Sequence, residues 1–245
     1  MFSILLCVNK DNEFLEDAIE SVLSQDYTNF EFIIVANNCT DQLFEKLSSF
    51  SDSRIKLFRT SIGQLSFNLN FGIEHSRFQY IVRMDSDDVC YPDRLSNIKK
   101  VIESEDSDFY CFSYDMIDEY GRLISRIQLS DGFYDLSKSF LRHQVCHPTV
   151  VLKKSSILKI RGYSGGFQSE DYDLWLRASR MNFTMYMSSF VTLKYRLHES
   201  QSRGNVLPYC EVSSYILREM LLEFSFYKFF ALFISVIKRI IKPVK

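Results

Sequence analysis

The chain has 245 residues, 46% hydrophobic, 24% charged and 15% aromatic, which excludes a disordered or fibrous protein and allows a sizeable core without disulfide staples. Its 29 Lys and Arg against 31 Asp and Glu give a net charge of −2, which offers no support for broad nucleic-acid binding. The charge is uneven: from Phe224 onward there are five bases (Lys228, Lys238, Arg239, Lys242, Lys245) and no acid, leaving 24 bases and 31 acids, or −7, on the remainder.

The opening run Phe2 to Val8 is continuous and apolar, as a strand buried on both faces should be, and it is too short and lacks the basic flank for a secretory signal. Phe14, Leu15, Ala18, Ile19, Val22 and Leu23 then share one side of a helix, and Phe32 to Val35 reads as a second strand. Strand, helix and strand make a parallel βαβ unit, with ligands expected at the carboxyl ends of the strands. A strand follows at Arg54 to Phe58, a helix at Leu65 to Ile73, and a strand at Phe78 to Met84 that runs into Asp85-Ser-Asp-Asp88. The three strand ends at Asn9, Asn37 and Asp85 are expected to lie side by side.

Beyond Pro92 the pattern predicts a helix near Leu95 to Glu103, a strand Phe109 to Tyr114, a turn at Gly121, a helix near Leu136 to His143 and a strand Thr149 to Leu152. The stretch Gly162-Tyr-Ser-Gly-Gly166 precedes Ser169-Glu-Asp-Tyr-Asp-Leu-Trp175; glycines before acids at a helix start suggest a flexible loop that delivers side chains to a cleft. The six cysteines form no CxxC pair and read as small core residues in a reducing compartment.

In Asp85-Ser86-Asp87-Asp88, residues two apart project to the same side of an extended segment, so Asp85 and Asp87 can converge on one point, as Mg²⁺ or Mn²⁺ beside a diphosphate requires. The alternative is a solvated acidic turn with Asp88 capping the next helix; the missing glycine and glutamate at the sixth and twelfth places argue against an EF-hand. Glu170 and Asp171 have a similar alternative, since acids in a first helical turn favour the helix dipole without any catalytic part.

Several motifs in order carry a resemblance. Ser3-Ile-Leu-Leu-Cys-Val-Asn9, Ala18 to Gln25, Phe30 to Val35, Asn38-Cys-Thr-Asp41, Leu69-Asn-Phe-Gly-Ile73, Tyr80 to Asp88 with Pro92 and Arg94-Leu95, His147-Pro148, Glu170 to Trp175 and Tyr195-Arg-Leu-His198 together resemble a family-2 glycosyltransferase over roughly the first 200 residues. The resemblance implies an α/β protein of GT-A fold, Rossmann-like with a mostly parallel central sheet flanked by helices, a nucleotide-sugar donor, and inversion at the anomeric carbon. By position it implies that Asp85 and Asp87 form the metal and donor motif with Ser86 between them, and that Asp171 is the general base, with Glu170 holding an acceptor hydroxyl or orienting the loop. It places Cys7, Val8, Asn9 and Asn37 at the nucleotide, His147 near the acceptor, and His198 near the diphosphate as a third metal ligand or phosphate donor. Where many relatives have Pro-Val-Tyr-Asn and paired aspartates this chain has Cys7-Val-Asn-Lys10 and Ala36-Asn37, so a uridine donor rests on asparagine's capacity to donate and accept at a uracil edge. Leu69 stands where many members have arginine. Trp175, at helical spacing with Leu174 and Ala178, is read as core.

The chain is divided into a catalytic domain, residues 1–205, and a C-terminal amphipathic helical segment, residues 206–245. Its longest uncharged run, Phe229 to Ile237, is too short to span a bilayer, whereas Phe226, Phe229, Phe230, Phe233, Ile237, Ile240 and Ile241 recur at near-helical spacing beside clustered bases, the pattern of an interfacial helix drawn to anionic lipid. Docking on the catalytic domain or on a dimer partner is the competing reading. The expectation is a cytoplasmic enzyme, peripheral on the inner face of the cell membrane, acting on a glycan or lipid-linked glycan in surface polysaccharide assembly such as O-antigen or capsule. A subunit that binds nucleotide-sugar or scaffolds an assembly complex without turnover is the alternative.

Overall fold

The computed structural model describes residues 1–142, 144–198 and 206–241. In its first half β1 (Phe2–Val8), α1 (Leu15–Leu23), β2 (Phe30–Asn37), α2 (Asp41–Ser48), β3 (Ile55–Thr60), α3 (Leu65–His75) and β4 (Tyr80–Met84) alternate as strand and helix. The second half contains β5 (Val89–Cys90), α4 (Arg94–Ser104), β6 (Phe109–Ile117), β7 (Leu123–Ile127), β8 (Gly132–Phe133), β9 (Val151–Lys153), α5 (Lys154–Lys159), α6 (Glu170–Arg180) and β10 (Met185–Arg196). Two helices follow, α7 (Leu207–Leu222) and α8 (Phe226–Ile241).

Among the described residues ten strands join one sheet whose main path runs β3-β2-β1-β4-β9-β6-β10-β5, with β7 beside β6 and β8 beside β10. The parallel character expected of it belongs to β3-β2-β1-β4 and to the pair β6-β10, while β9, β5, β7 and β8 enter antiparallel. The continuous apolar strands follow from helices on both faces. Ile4, Leu6, Phe32 and Ile34 pack on one side with Leu15, Ile19, Leu95 and Ile98, and Leu5, Cys7, Ile33 and Val35 pack on the other with Leu69, Leu174 and Trp175. Trp175 is fully buried against Phe109, as its spacing predicted.

Helix α2, capped by Thr40 accepting from the Leu43 amide at 3.3 Å, and the long strand β10 were not predicted. The helix expected near Leu136 to His143 is instead a 3₁₀ turn over Leu136–Phe140, because Asp135 accepts from the Ser137 amide and starts a tight turn; His143 lies outside the described residues. Likewise Thr149 closes a 3₁₀ turn, His147–Thr149, ahead of β9. The reading of the cysteines as core residues holds for Cys7, Cys90 and Cys111; Cys39 and Cys146 are half-buried, Cys210 is exposed, and all six are free thiols.

The boundary expected at 205 falls within residues 199–205, outside the description, as do Lys242 and Lys245. On its far side α7 packs on α6: Ile216 and Glu219 are fully buried, and Glu219 accepts from Arg180 and Arg218, each at 2.6 Å. The chain then reverses at Glu223–Ser225, and α8 returns along α7 with Ala231 in the shared core. Lys228 does not join the terminal cluster of bases; it is buried, donating to the Glu223 carboxylate at 2.8 Å. Among the described residues no helix is long and apolar enough to cross a membrane.

Candidate active site

The parallel register β2-β1-β4 brings the strand ends at Asn9, Asn37 and Asp85 to one edge, as predicted. Directly beyond β4 the carboxylates of Asp85, Asp87 and Asp88 converge, each offering an oxygen within 4.8 Å of the others. Asp88 does not cap α4, whose N-cap is Asp93. It is fully buried, its Oδ1 accepts from the Arg196 amide at 2.9 Å, and its Oδ2 has no hydrogen-bond partner among the described residues. Burial and the neighbouring carboxylates push its pKa well above the usual range. An orphaned, buried carboxylate oxygen within a cluster of hard donors fits a divalent cation.

The end of β10 supports this turn. Arg196, 4% exposed, donates Nε to the Asp87 carbonyl at 2.9 Å, and its guanidinium lies 4.3 Å over the Phe14 ring. Two residues on, His198 Nε2 lies 2.8 Å from Asp87 Oδ2, with its ring 5.1 Å from Phe14. Ser86 Oγ accepts from Asn12 Nδ2 at 3.4 Å.

Beside the turn opens a cavity of about 740 Å³, lined by Asp85, His147, Glu170 and Asp171 among the residues expected at the site, and by Arg83, Tyr195, Phe167 and Gln168 besides. His147 is hydrogen-bonded to Tyr163 Oη at 2.7 Å. The Tyr163 backbone is bracketed by Asn70, which accepts from its amide at 2.9 Å and donates to its carbonyl at 2.7 Å. Gly162 makes that bracket possible: its φ is +65°, and a Cβ there would meet Asn70 Oδ1 at 2.2 Å. Arg94, 1% exposed, ties the Arg83 carbonyl to the Pro148 carbonyl with two 2.8 Å bonds, fixing the His147 turn against the end of β4.

Glu170 and Asp171 occupy the first turn of α6, where the helix dipole favours them. Ser169 stands at the N-cap without a side-chain cap bond. Asp171 is half-exposed to the cavity and accepts from the Tyr172 amide at 2.7 Å. Glu170 is buried, and burial first, then the Asp171 charge, raises its pKa to about 7. Opposite stands Arg83, 2% exposed, whose guanidinium donates to Asp85 Oδ1 at 2.5 Å and to the Leu5 carbonyl at 3.4 Å.

The residues expected at the nucleotide do not line the cavity. Asn9 is exposed at the strand end. Val8 turns its side chain into the core beside Leu15, so only its main chain faces the edge. Asn37 is buried, its amide donating to the Val35 carbonyl at 3.4 Å. Cys7 lies buried beneath the site, its thiol pushed up to about 12 by burial. Sequence reasoning missed Arg83, Arg196 and the buried role of Asp88. A lone arginine inside the apolar strand Tyr80 to Met84 was the available signal, since a charge at such a position must be partnered.

Residues 3–159 match the family model described as Glycosyl transferase family 2. The O-antigen biosynthesis glycosyltransferase WbnJ of Escherichia coli is 35% identical over an alignment of 250 residues that covers 99% of this chain and 97% of the relative. A putative glycosyltransferase of Bacillus subtilis, EpsE, is 29% identical over 196 residues, covering 75% and 68% of the two chains. Among solved structures, S. aureus TarS 1-349 in complex with UDP-GlcNAc superposes with a TM-score of 0.71 at 16% identity, over 88% of this chain and 66% of that one. The fold is the GT-A fold that the motifs implied.

Proposed function

The chain belongs to glycosyl transferase family 2 and is a glycosyltransferase, and from that premise we propose that it moves a sugar from a nucleotide-sugar, a UDP-sugar, to a hydroxyl of a glycan or lipid-linked glycan. The observation that carries the reading is the meeting, at one cavity, of Asp85, one of the three clustered carboxylates after β4, with Glu170 and Asp171 at the start of α6. The solved complexes of TarS with UDP and UDP-GlcNAc support a uridine donor, and the O-antigen role of WbnJ supports an acceptor in surface polysaccharide assembly.

In this reading Asp171 takes the proton from the acceptor hydroxyl as its oxygen attacks the anomeric carbon, the bond from that carbon to the diphosphate oxygen breaks, and attack from the opposite face inverts the configuration. Glu170 holds an acceptor hydroxyl, and His147, oriented by Tyr163, stands on the acceptor side. Asp85, Asp87 and His198, with Asp88 behind them, are the residues that would hold Mn²⁺ or Mg²⁺, which supplies neutralisation of the charge on the departing nucleoside diphosphate. Asn9, Asn37 and the main chain of Cys7 and Val8 form the base end, and Ser86 joins the donor motif.

The enzyme is proposed to work at the cytoplasmic face of the membrane, held there by α8. That helix exposes Phe226, Phe229, Phe230, Phe233, Ile240 and Ile241 and ends in Lys238 and Arg239. Transfer assays with UDP-sugars and lipid-linked glycan test the function. Asp171→Asn should lower transfer by about 10²- to 10⁴-fold with nucleotide binding retained. Transfer at the parental rate would remove Asp171 from its role, and binding without turnover in the unaltered protein would favour a scaffolding subunit.

A further inference from the structure

We infer that Glu211, on α7 and outside the cavity, is a positioning residue for transfer, because its carboxylate holds the loop that presents Glu170 and Asp171. Glu211 Oε1 accepts from the Phe167 amide at 2.7 Å and Oε2 from the Gln168 amide at 3.2 Å. Phe167 and Gln168 both line the cavity, and Glu170 and Asp171 follow immediately. One carboxylate therefore satisfies two consecutive amides of an irregular segment, as a capping group does at a helix start, while Ser169 makes no such bond.

The contact belongs to a face rather than to a single side chain. Glu211, Tyr215 and Arg218 are spaced by four and three residues and so share one side of α7. Tyr215 Oη lies 2.5 Å from where a Cβ on Gly166 would sit, so a side chain there would displace the tyrosine hydroxyl, and the φ of +88° at Gly166 separately favours glycine. Arg218 Nη1 donates to Asp173 Oδ1 at 2.6 Å, and Asp173 Oδ2 accepts from Ser164 Oγ at 2.6 Å. Among the described residues, the hydrogen bonds holding 164–168 from outside the segment run to Asp173 and Glu211 alone. Without Glu211, the stretch from Gly165 to Gln168 would have no such bond.

The glycine-rich loop is thus fixed by a helix from the C-terminal segment. The inference rests on the proposed transfer reaction, and its test separates the two. Glu211→Gln keeps the shape but leaves a single acceptor oxygen, so one of the two amides loses its partner and the other loses the charge, and Glu211→Asp keeps the charge with shorter reach. Amide exchange of 164–169, UDP binding with Mn²⁺, and transfer from a UDP-sugar panel to lipid-linked glycan extracted from cells lacking this gene are measured on each. In Glu211→Gln the exchange should quicken and the turnover number fall about tenfold or more, with UDP affinity and donor KM within about twofold, and Glu211→Asp should recover part of the loss.

Quicker exchange with parental turnover would overturn the inference, as would unchanged exchange. If the unaltered protein transferred no sugar, the substrate reading would fail, and the exchange of 164–169 would by itself decide whether Glu211 holds the loop.

Discussion

His198 Nε2 lies 2.8 Å from Asp87 Oδ2, joining the turn after β4 to the end of β10 across 111 positions of sequence. If the aspartates hold a cation as proposed, the imidazole either reaches it or fixes the carboxylate that does, and its loss then costs cation affinity. His198→Ala should weaken Mn²⁺-dependent UDP binding by about 10- to 100-fold, read by calorimetry, with binding in the absence of metal changed little. Equal weakening with and without metal would place His198 on the nucleotide instead.

Glu170 makes stability depend on pH. Its folded pKa, raised to about 7, exceeds the ordinary value of 4.5, so the native state binds more protons than the unfolded chain between those values, and the metal-free protein loses stability as pH rises through that window. Glu170→Gln removes the buried ionisation. Relative to the parent it should gain about 3 kcal/mol well above pH 7 and nothing below about pH 4, while transfer falls. Urea unfolding of both proteins at pH 4.5, 6 and 8 checks it, and a constant difference across pH would refute it.

The motifs at the strand ends were legible because a parallel strand is a short apolar run whose end fixes where the next residues go, so Asn9, Asn37 and Asp85 could be placed together before any coordinates. The antiparallel half was less legible. β10 mixes Ser188, Ser189, Thr192 and Lys194 with apolar residues, and its register against β6 shifts at irregularities around Val191, which erases a clean alternation. The partners of buried charges were hidden for a different reason. Arg83 with Asp85 is local, but Arg196 with Asp88 and Arg94 with Pro148 join residues 108 and 54 apart, and one sequence gives no sign of such pairs.

The terminal helices divide in the same way. The apolar spacing of α8 was visible, yet the break at Glu223–Ser225 and the loss of Lys228 to Glu223 emerged only from packing. If its outward face meets lipid, Phe230→Ser with Phe233→Ser, both more than half exposed, should lower binding to vesicles containing phosphatidylglycerol by about tenfold or more without lowering the melting temperature. Raising salt should weaken what remains through Lys238 and Arg239. Undiminished vesicle binding, or dimers in sedimentation that the double variant abolishes, would instead assign the face to a protein partner.

The central claim, a metal-assisted nucleotide-sugar site built on the aspartates after β4, is tested most directly by calorimetric titration of UDP into the protein with and without Mn²⁺, with GDP and TDP as comparators, repeated on Asp87→Ala. The account predicts that Mn²⁺ tightens nucleotide binding by about tenfold or more, that UDP is preferred, and that the tightening is lost in Asp87→Ala. Binding of equal strength without metal, or tightening retained in the variant, would contradict it.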